Sequence, residues 1–170
     1  VPSRAAVYAE CGPFSGQVEM VEAHKRASLV ALATSDPPRK ISIQAFNLFP
    51  KIREIDTLLQ EQPDLTARIF ESHPEFAFAI LNGGSPMKLP KKIKGKVNPP
   101  GMEERKALLS SHGLSRQFLD QPPPKGAASD DFLDACAMLL IAGRIARGEA
   151  SPHPSPLHHD SHGIPVAIWA

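Results

Sequence analysis

Cysteine is scarce in this chain: Cys11 and Cys136 are the only two in 170 residues. Cys136 falls in an apolar helical pattern and Cys11 beside Gly12-Pro13, which reads as two reduced thiols and points to a cytoplasmic setting. Long apolar runs are missing as well. No stretch approaches the roughly 18 uninterrupted apolar residues of a membrane span, and no basic segment leads into an apolar core at the start, which argues against membrane insertion and secretion. Nor does one sign of charge dominate. Nineteen Lys plus Arg stand against 18 Asp plus Glu, for a net charge of +1, so a phosphate-bearing partner has to be held locally. Ser110, Ser111 and His112 form no nucleophile elbow, and neither a Gly-rich phosphate loop nor a dinucleotide fingerprint is present. There is no internal repeat.

What is present fits one domain over residues 1–170, large enough to bury a core without disulfides. The chain opens on Val1-Pro2-Ser3-Arg4, which reads like the interior of a longer chain. From Val18 to Leu32, Val18, Val21, Ala27, Val30 and Ala31 alternate with charges in a weak helical pattern that Ser35-Asp36-Pro37-Pro38 ends. Ser42 then precedes Ile43, Phe46, Leu48, Phe49, Ile52, Ile55, Leu58 and Leu59. Their spacing predicts a helix with Lys51, Arg53, Glu54 and Asp56 largely outside, a kink at Pro50 and a stop at Pro63. Thr66 to Ser72 reads as a buried strand that delivers Glu71, His73 and Glu75 near its carboxyl end.

Pro74 suits the first turn of a helix that Gly83 and Gly84 stop. Met87 to Gly101 carries Lys88, Lys91, Lys92, Lys94 and Lys96 among prolines and reads as a basic surface loop. A helix over Met102 to His112 is followed by an extended Gln121-Pro122-Pro123-Pro124 linker. Ser129 is a good N-cap for an apolar helix running from Phe132 to Arg147. A Pro/His-rich loop and a strand over Ile164 to Trp169 complete an α/β pattern with too few strands for a full sheet.

Three groups of residues carry chemistry. Asp131 and Asp134, three apart on a helix, can share a divalent ion or its waters, and Asp130 and Asp134, four apart, are also compatible. The dipole of a first helical turn equally accounts for Asp130 and Asp131. Asp134 lies deeper in an otherwise apolar helix, where a carboxylate needs a partner or a site. Strand alternation puts Glu71 and His73 on one side, Glu71 as a metal ligand and His73 to orient water or bind phosphate. The same residues suit a strand-to-helix turn with Glu75 acting on the helix N-terminus. The five lysines can contact a nucleic-acid backbone or simply be solvated. His153, His158, His159 and His162 match no helix-borne zinc pattern.

Several separated segments resemble the prokaryotic family called domain of unknown function 429. They are Pro2-Ser3-Arg4, Ser42 to Phe46 with Lys51 to Asp56, Phe70 to Glu75, Lys91-Lys92 with Gly95, Glu104-Arg105, Leu108-Leu109, Asp130 to Ala135 and Ile168-Trp169. The resemblance implies an RNase-H-like, resolvase-like fold, a mixed sheet flanked by helices and incomplete at its N-terminus. It implies a nuclease activity dependent on Mg or Mn. Asp131 and Asp134 would correspond to the paired aspartates of the last helix, where such nucleases have Asp-x-x-Asp-Ala. Their other two acidic residues lie upstream of the Pro-Ser-Arg segment. The expectation is therefore a phosphodiesterase acting on nucleic acid: Asp131, Asp134 and Glu71 at the metal, His73 on water or phosphate, Lys91 and Lys92 on the backbone. The alternative is a catalytically inactive interaction module of the same fold.

Overall fold

The structure, a computed structural model, describes residues 4–10 and 15–170. Cys11, expected as a reduced thiol, lies outside them. The chain divides into two compact units, Val1–Thr66 and Ala67–Ala170.

The first unit is helical: α1 (Arg4–Ala9), α2 (Gln17–Thr34), α3 (Ile43–Asn47) and α4 (Phe49–Glu61). The weak pattern over Val18 to Leu32 does form α2, but its buried positions are Ala23, Ala27, Ser28 and Ala31, while Val18 and Val21 are exposed. An alanine every fourth residue makes a narrow stripe that lets other backbone come close, and the core of this unit is Val7, Ala23, Ala27, Phe46 and Phe49. Ser42 caps α3 as expected, its hydroxyl accepting from the Ala45 N–H at 3.1 Å. The helix is interrupted at Leu48, and Pro50 stands in the first turn of α4. Ile52 and Ile55, expected inside, are exposed, whereas Asp56, expected outside, is half-buried. Arg4 pairs with Asp56 at 2.7 Å and Tyr8 donates to the same carboxylate, so ion pairing turns the polar side of α4 toward α1.

In the second unit α5 (Pro74–Leu81), α6 (Pro99–Ser111), α7 (Arg116–Leu119) and α8 (Ser129–Ala146) surround a core built from Phe78, Leu81, Met102, Leu109, Leu119, Leu133, Ala137 and Ile141. Two small antiparallel sheets accompany them, β1 (Lys92–Ile93) with β2 (Lys96–Val97) and β3 (Pro152–His159) with β4 (Pro165–Trp169). The architecture is a mixture of α and β, and among the described residues no helix is long and apolar enough to cross a membrane.

Three local expectations change. The strand expected over Thr66 to Ser72 does not form: Pro63–Ala67 is a 3-10 helix and the following residues are irregular. One backbone bond ties them to β4, from the Trp169 N–H to the Glu71 carbonyl at 2.8 Å. The next acceptor, the Trp169 carbonyl, is taken by the Ser72 hydroxyl at 2.7 Å instead of a backbone N–H, so no ladder propagates. The basic loop contains the β1–β2 hairpin, whose turn residues Lys94 (φ 49°) and Gly95 (φ 76°) both lie in the left-handed region that two-residue hairpins need. The Pro/His-rich segment is not a loop but β3. Ser151 and Ala170 exchange backbone hydrogen bonds of 2.9 and 3.3 Å, so the donorless nitrogen of the next residue, Pro152, falls on the outer edge where a proline is tolerated.

One close approach holds the hairpin against α6. A Cβ on Gly101 would stand 2.2 Å from the Pro90 carbonyl oxygen, and the Asn98 amide donates to that same oxygen at 2.8 Å. Gly143 of α8 is different, since a Cβ there would meet only the end of the Arg147 side chain at 3.2 Å. Urea denaturation should therefore show Gly101→Ala losing about 1–3 kcal/mol through overpacking against backbone. Gly143→Ala should gain up to about 1 kcal/mol from helix propensity. Changes of the same sign in the two variants would refute this packing account.

Candidate functional site

The site is organised from α6. Met102, Arg105 and Leu109 follow one another at spacings of three and four, so they share the buried face of the helix, and Arg105 is only 2% exposed. Its guanidinium spans three acceptors. Nη1 donates to the Leu89 carbonyl at 3.0 Å and to the Gly101 carbonyl at 3.1 Å, and Nη2 donates to both Glu75 oxygens at 3.2 and 2.9 Å. The adjacent Glu104 carboxylate accepts from the Lys88 and Leu89 N–H groups at 2.9 and 2.8 Å. Two consecutive residues of α6 thus clamp the chain just before the hairpin.

That clamp aims two lysines at α8. The Lys91 ammonium lies 2.5 Å from Asp134 Oδ2 and 3.5 Å from Glu75, and the Lys92 ammonium lies 2.7 Å from Asp130 Oδ2. Asp130 is 2% exposed although it is the second residue of its helix, because it continues the buried stripe of Leu133, Ala137 and Ile141. Burial raises the pKa of the Asp130 carboxyl, but the Lys92 hydrogen bond and charge, with a contribution from Lys91, more than offset it and hold the group below the usual carboxylate range. The Asp130 hydrogen bond in turn raises Lys92 above its ordinary value. Glu75, Asp130 and Asp134 are matched by Arg105, Lys91 and Lys92, so the cluster is close to neutral.

Two buried oxygens remain without a hydrogen-bond partner, Oδ1 of Asp130 and Oδ1 of Asp134. They belong to residues four apart, on one helical face. Among the described residues no group of three His, Cys, Asp or Glu side chains is placed to hold a metal ion.

The other expected residues fall around this cluster. Asp131 is exposed, and its carboxylate accepts from the Ala128 N–H at 3.4 Å. Ala128, not Ser129, is the N-cap of α8, which leaves Ser129 inside the first turn. Glu71 and His73 are exposed on the irregular segment that leads into α5, and among the described residues neither side chain has a hydrogen bond or ion pair. Glu75 serves Arg105 and Lys91 and not the N-terminus of its own helix. Cys136 is a buried free thiol whose pKa burial raises, an unreactive setting. Asp130, already a candidate with Asp134 from their spacing, is the buried one of the two aspartates that open α8, whereas Arg105 has no part in the expected site. Its signal in the sequence was a charge standing at an apolar position of a helical stripe.

Residues 1–159 match the family described as protein of unknown function (DUF429), and the chain belongs to that family. No curated protein and no solved structure matches it.

The Lys92–Asp130 pair predicts a pH dependence. Because the folded-state carboxyl of Asp130 binds its proton more weakly than the unfolded one, its contribution is complete above about pH 4 and is lost as pH falls through the depressed value. The raised Lys92 contributes fully below about pH 10 and is lost as pH rises through its folded value. Lys92→Met should therefore be less stable than the native chain at pH 7, with the gap in urea midpoint closing below about pH 4. A gap that stays constant down to pH 2 would show that the pair does not supply it.

Proposed function

We propose that this chain is a divalent-metal-dependent phosphodiesterase acting on nucleic acid, with an RNase-H-like arrangement in which α8 is the acidic last helix. The observation that carries the reading is the pair of buried, unpartnered Oδ1 atoms on Asp130 and Asp134. Buried carboxylate oxygens without a donor are costly, and a hard cation is the ligand that such oxygens satisfy. Mg is usually held by one or two carboxylates together with waters and substrate phosphate, so a two-aspartate donor set fits it.

In this reading Asp130 and Asp134 hold the ion, which when bound activates water and stabilises the leaving oxygen. Lys91 and Lys92, beside those carboxylates, meet the phosphates of the substrate. Glu71 is a further carboxylate and His73 a group that orients water or binds phosphate, both exposed and unengaged close in sequence to Glu75. Asp131, the expected ligand, has a capping role, so the working pair becomes Asp130 with Asp134. A cytoplasmic location belongs to the same reading, in keeping with the reduced Cys136.

The second reading is a catalytically inactive interaction module of the same fold. It is favoured by the near-complete neutralisation of the acidic cluster by Lys91, Lys92 and Arg105.

Cleavage of labelled DNA and RNA by the full chain, with Mn or Mg and with chelator, separates the two. Metal-dependent cutting should fall more than about 100-fold in Asp130→Asn plus Asp134→Asn, beyond the loss caused by removing an outer-shell partner. It should persist in Asp131→Asn. Absence of cutting by the native chain with either metal would leave the interaction module.

A further inference from the structure

We infer that a pocket beside the acidic cluster is a subsite for one unpaired nucleobase, so that the chain engages single-stranded nucleic acid; this rests on the phosphodiesterase reading. The pocket has a volume of about 240 Å³, and Val97, Pro123 and Phe132 supply apolar walls, with Gln121, Ser129 and the ion-paired Glu103 and Lys106 at polar positions. That is below the roughly 300–1,000 Å³ of sites for larger ligands and suits a single flat ring.

Its position follows from residues already placed. Ser129 immediately precedes Asp130, and Val97 is the direct cross-strand partner of Lys92, whose ammonium pairs with Asp130. A nucleotide whose phosphate lies at Lys92 therefore has this pocket beside it, reached through Val97 and Ser129. Its chemistry is that of base recognition. Phe132 meets Phe118 edge-on, with ring centroids 5.4 Å apart, and offers an aromatic surface to the pocket. Among the described residues the side chains of Gln121 and Ser129 have no hydrogen-bond partner, and Ser129 is released from capping because Ala128 holds that position. An amide with both donor and acceptor and a hydroxyl with both are suited to the edge of a base. Duplex bases are stacked and paired, so only an unpaired or extruded base can enter such a pocket.

The test is fluorescence anisotropy with labelled oligothymidylate, an abasic strand of the same length and the matched duplex, in chelator so that no strand is cut. The base-bearing single strand should bind the native chain about tenfold more tightly than the abasic strand, in line with one stacked base. It should also bind more tightly than the duplex. Phe132→Leu, which keeps apolar volume but removes the ring, should erase the preference while leaving abasic binding unchanged. Gln121→Ala, at an exposed position, should weaken it without altering the melting temperature. Equal binding of base-bearing and abasic strands, or a preference untouched in both variants, overturns the inference. If the native chain still cuts with metal, only the base pocket falls. No binding and no cutting brings down the phosphodiesterase reading with it.

Discussion

The second unit depends on one buried cation. Arg105 sits on the inner face of α6 at a position where the helical stripe calls for a hydrophobe, and its guanidinium lies 5.2 Å from the centre of the Phe78 ring. A buried charge is costly unless it is paired and hydrogen-bonded. Here the two terminal nitrogens are met by the Glu75 carboxylate and by two backbone carbonyls, Leu89 and Gly101, while Nε is buried without a partner. A guanidinium can do this because its fork presents several donors in one plane, which a lysine cannot reproduce. The result links α5, α6 and the chain entering the hairpin through one side chain.

The hairpin inherits its position from that link. With Leu89 held by Arg105 and Glu104, and the Lys91 carbonyl accepting from the Asn98 N–H at 2.8 Å, the residues between are left little freedom. Gly101 lets the Pro90 carbonyl come within a distance that any Cβ would forbid. Lys91 and Lys92 are therefore delivered to Asp134 and Asp130 by backbone geometry and not by charge alone. Each aspartate still keeps one buried oxygen unpaired. The cluster is neutral in sum but unsaturated in hydrogen bonding, a combination that leaves room for a cation or a phosphate to rearrange it.

Local signals carried much of the fold. Pro74 with Gly83, Ser42 as a cap, the Pro50 interruption and the long apolar run of α8 all act within a few residues of one another, and all appear where their chemistry places them. The misses were of another kind. The segment before Ser72 has the composition of a strand but finds a single backbone bond on β4, and β3 has the composition of a loop but finds a partner in the same strand. Pairing is a property of two segments, and composition reports only one.

The candidate site divides along the same line. Sequence alone determined that acidic residues open the last long helix, that lysines crowd the segment before α6, and that Asp134 needs a partner, because helix periodicity and the cost of a buried charge are local rules. It could not say that Asp130 rather than Asp131 faces inward, nor that Arg105 and Glu75 bind across 30 residues. Tertiary structure alone decided those points. The rotation of α8 is set by what Leu133, Ala137 and Ile141 pack against, and the partner of a buried charge is whichever group the folded chain brings within reach.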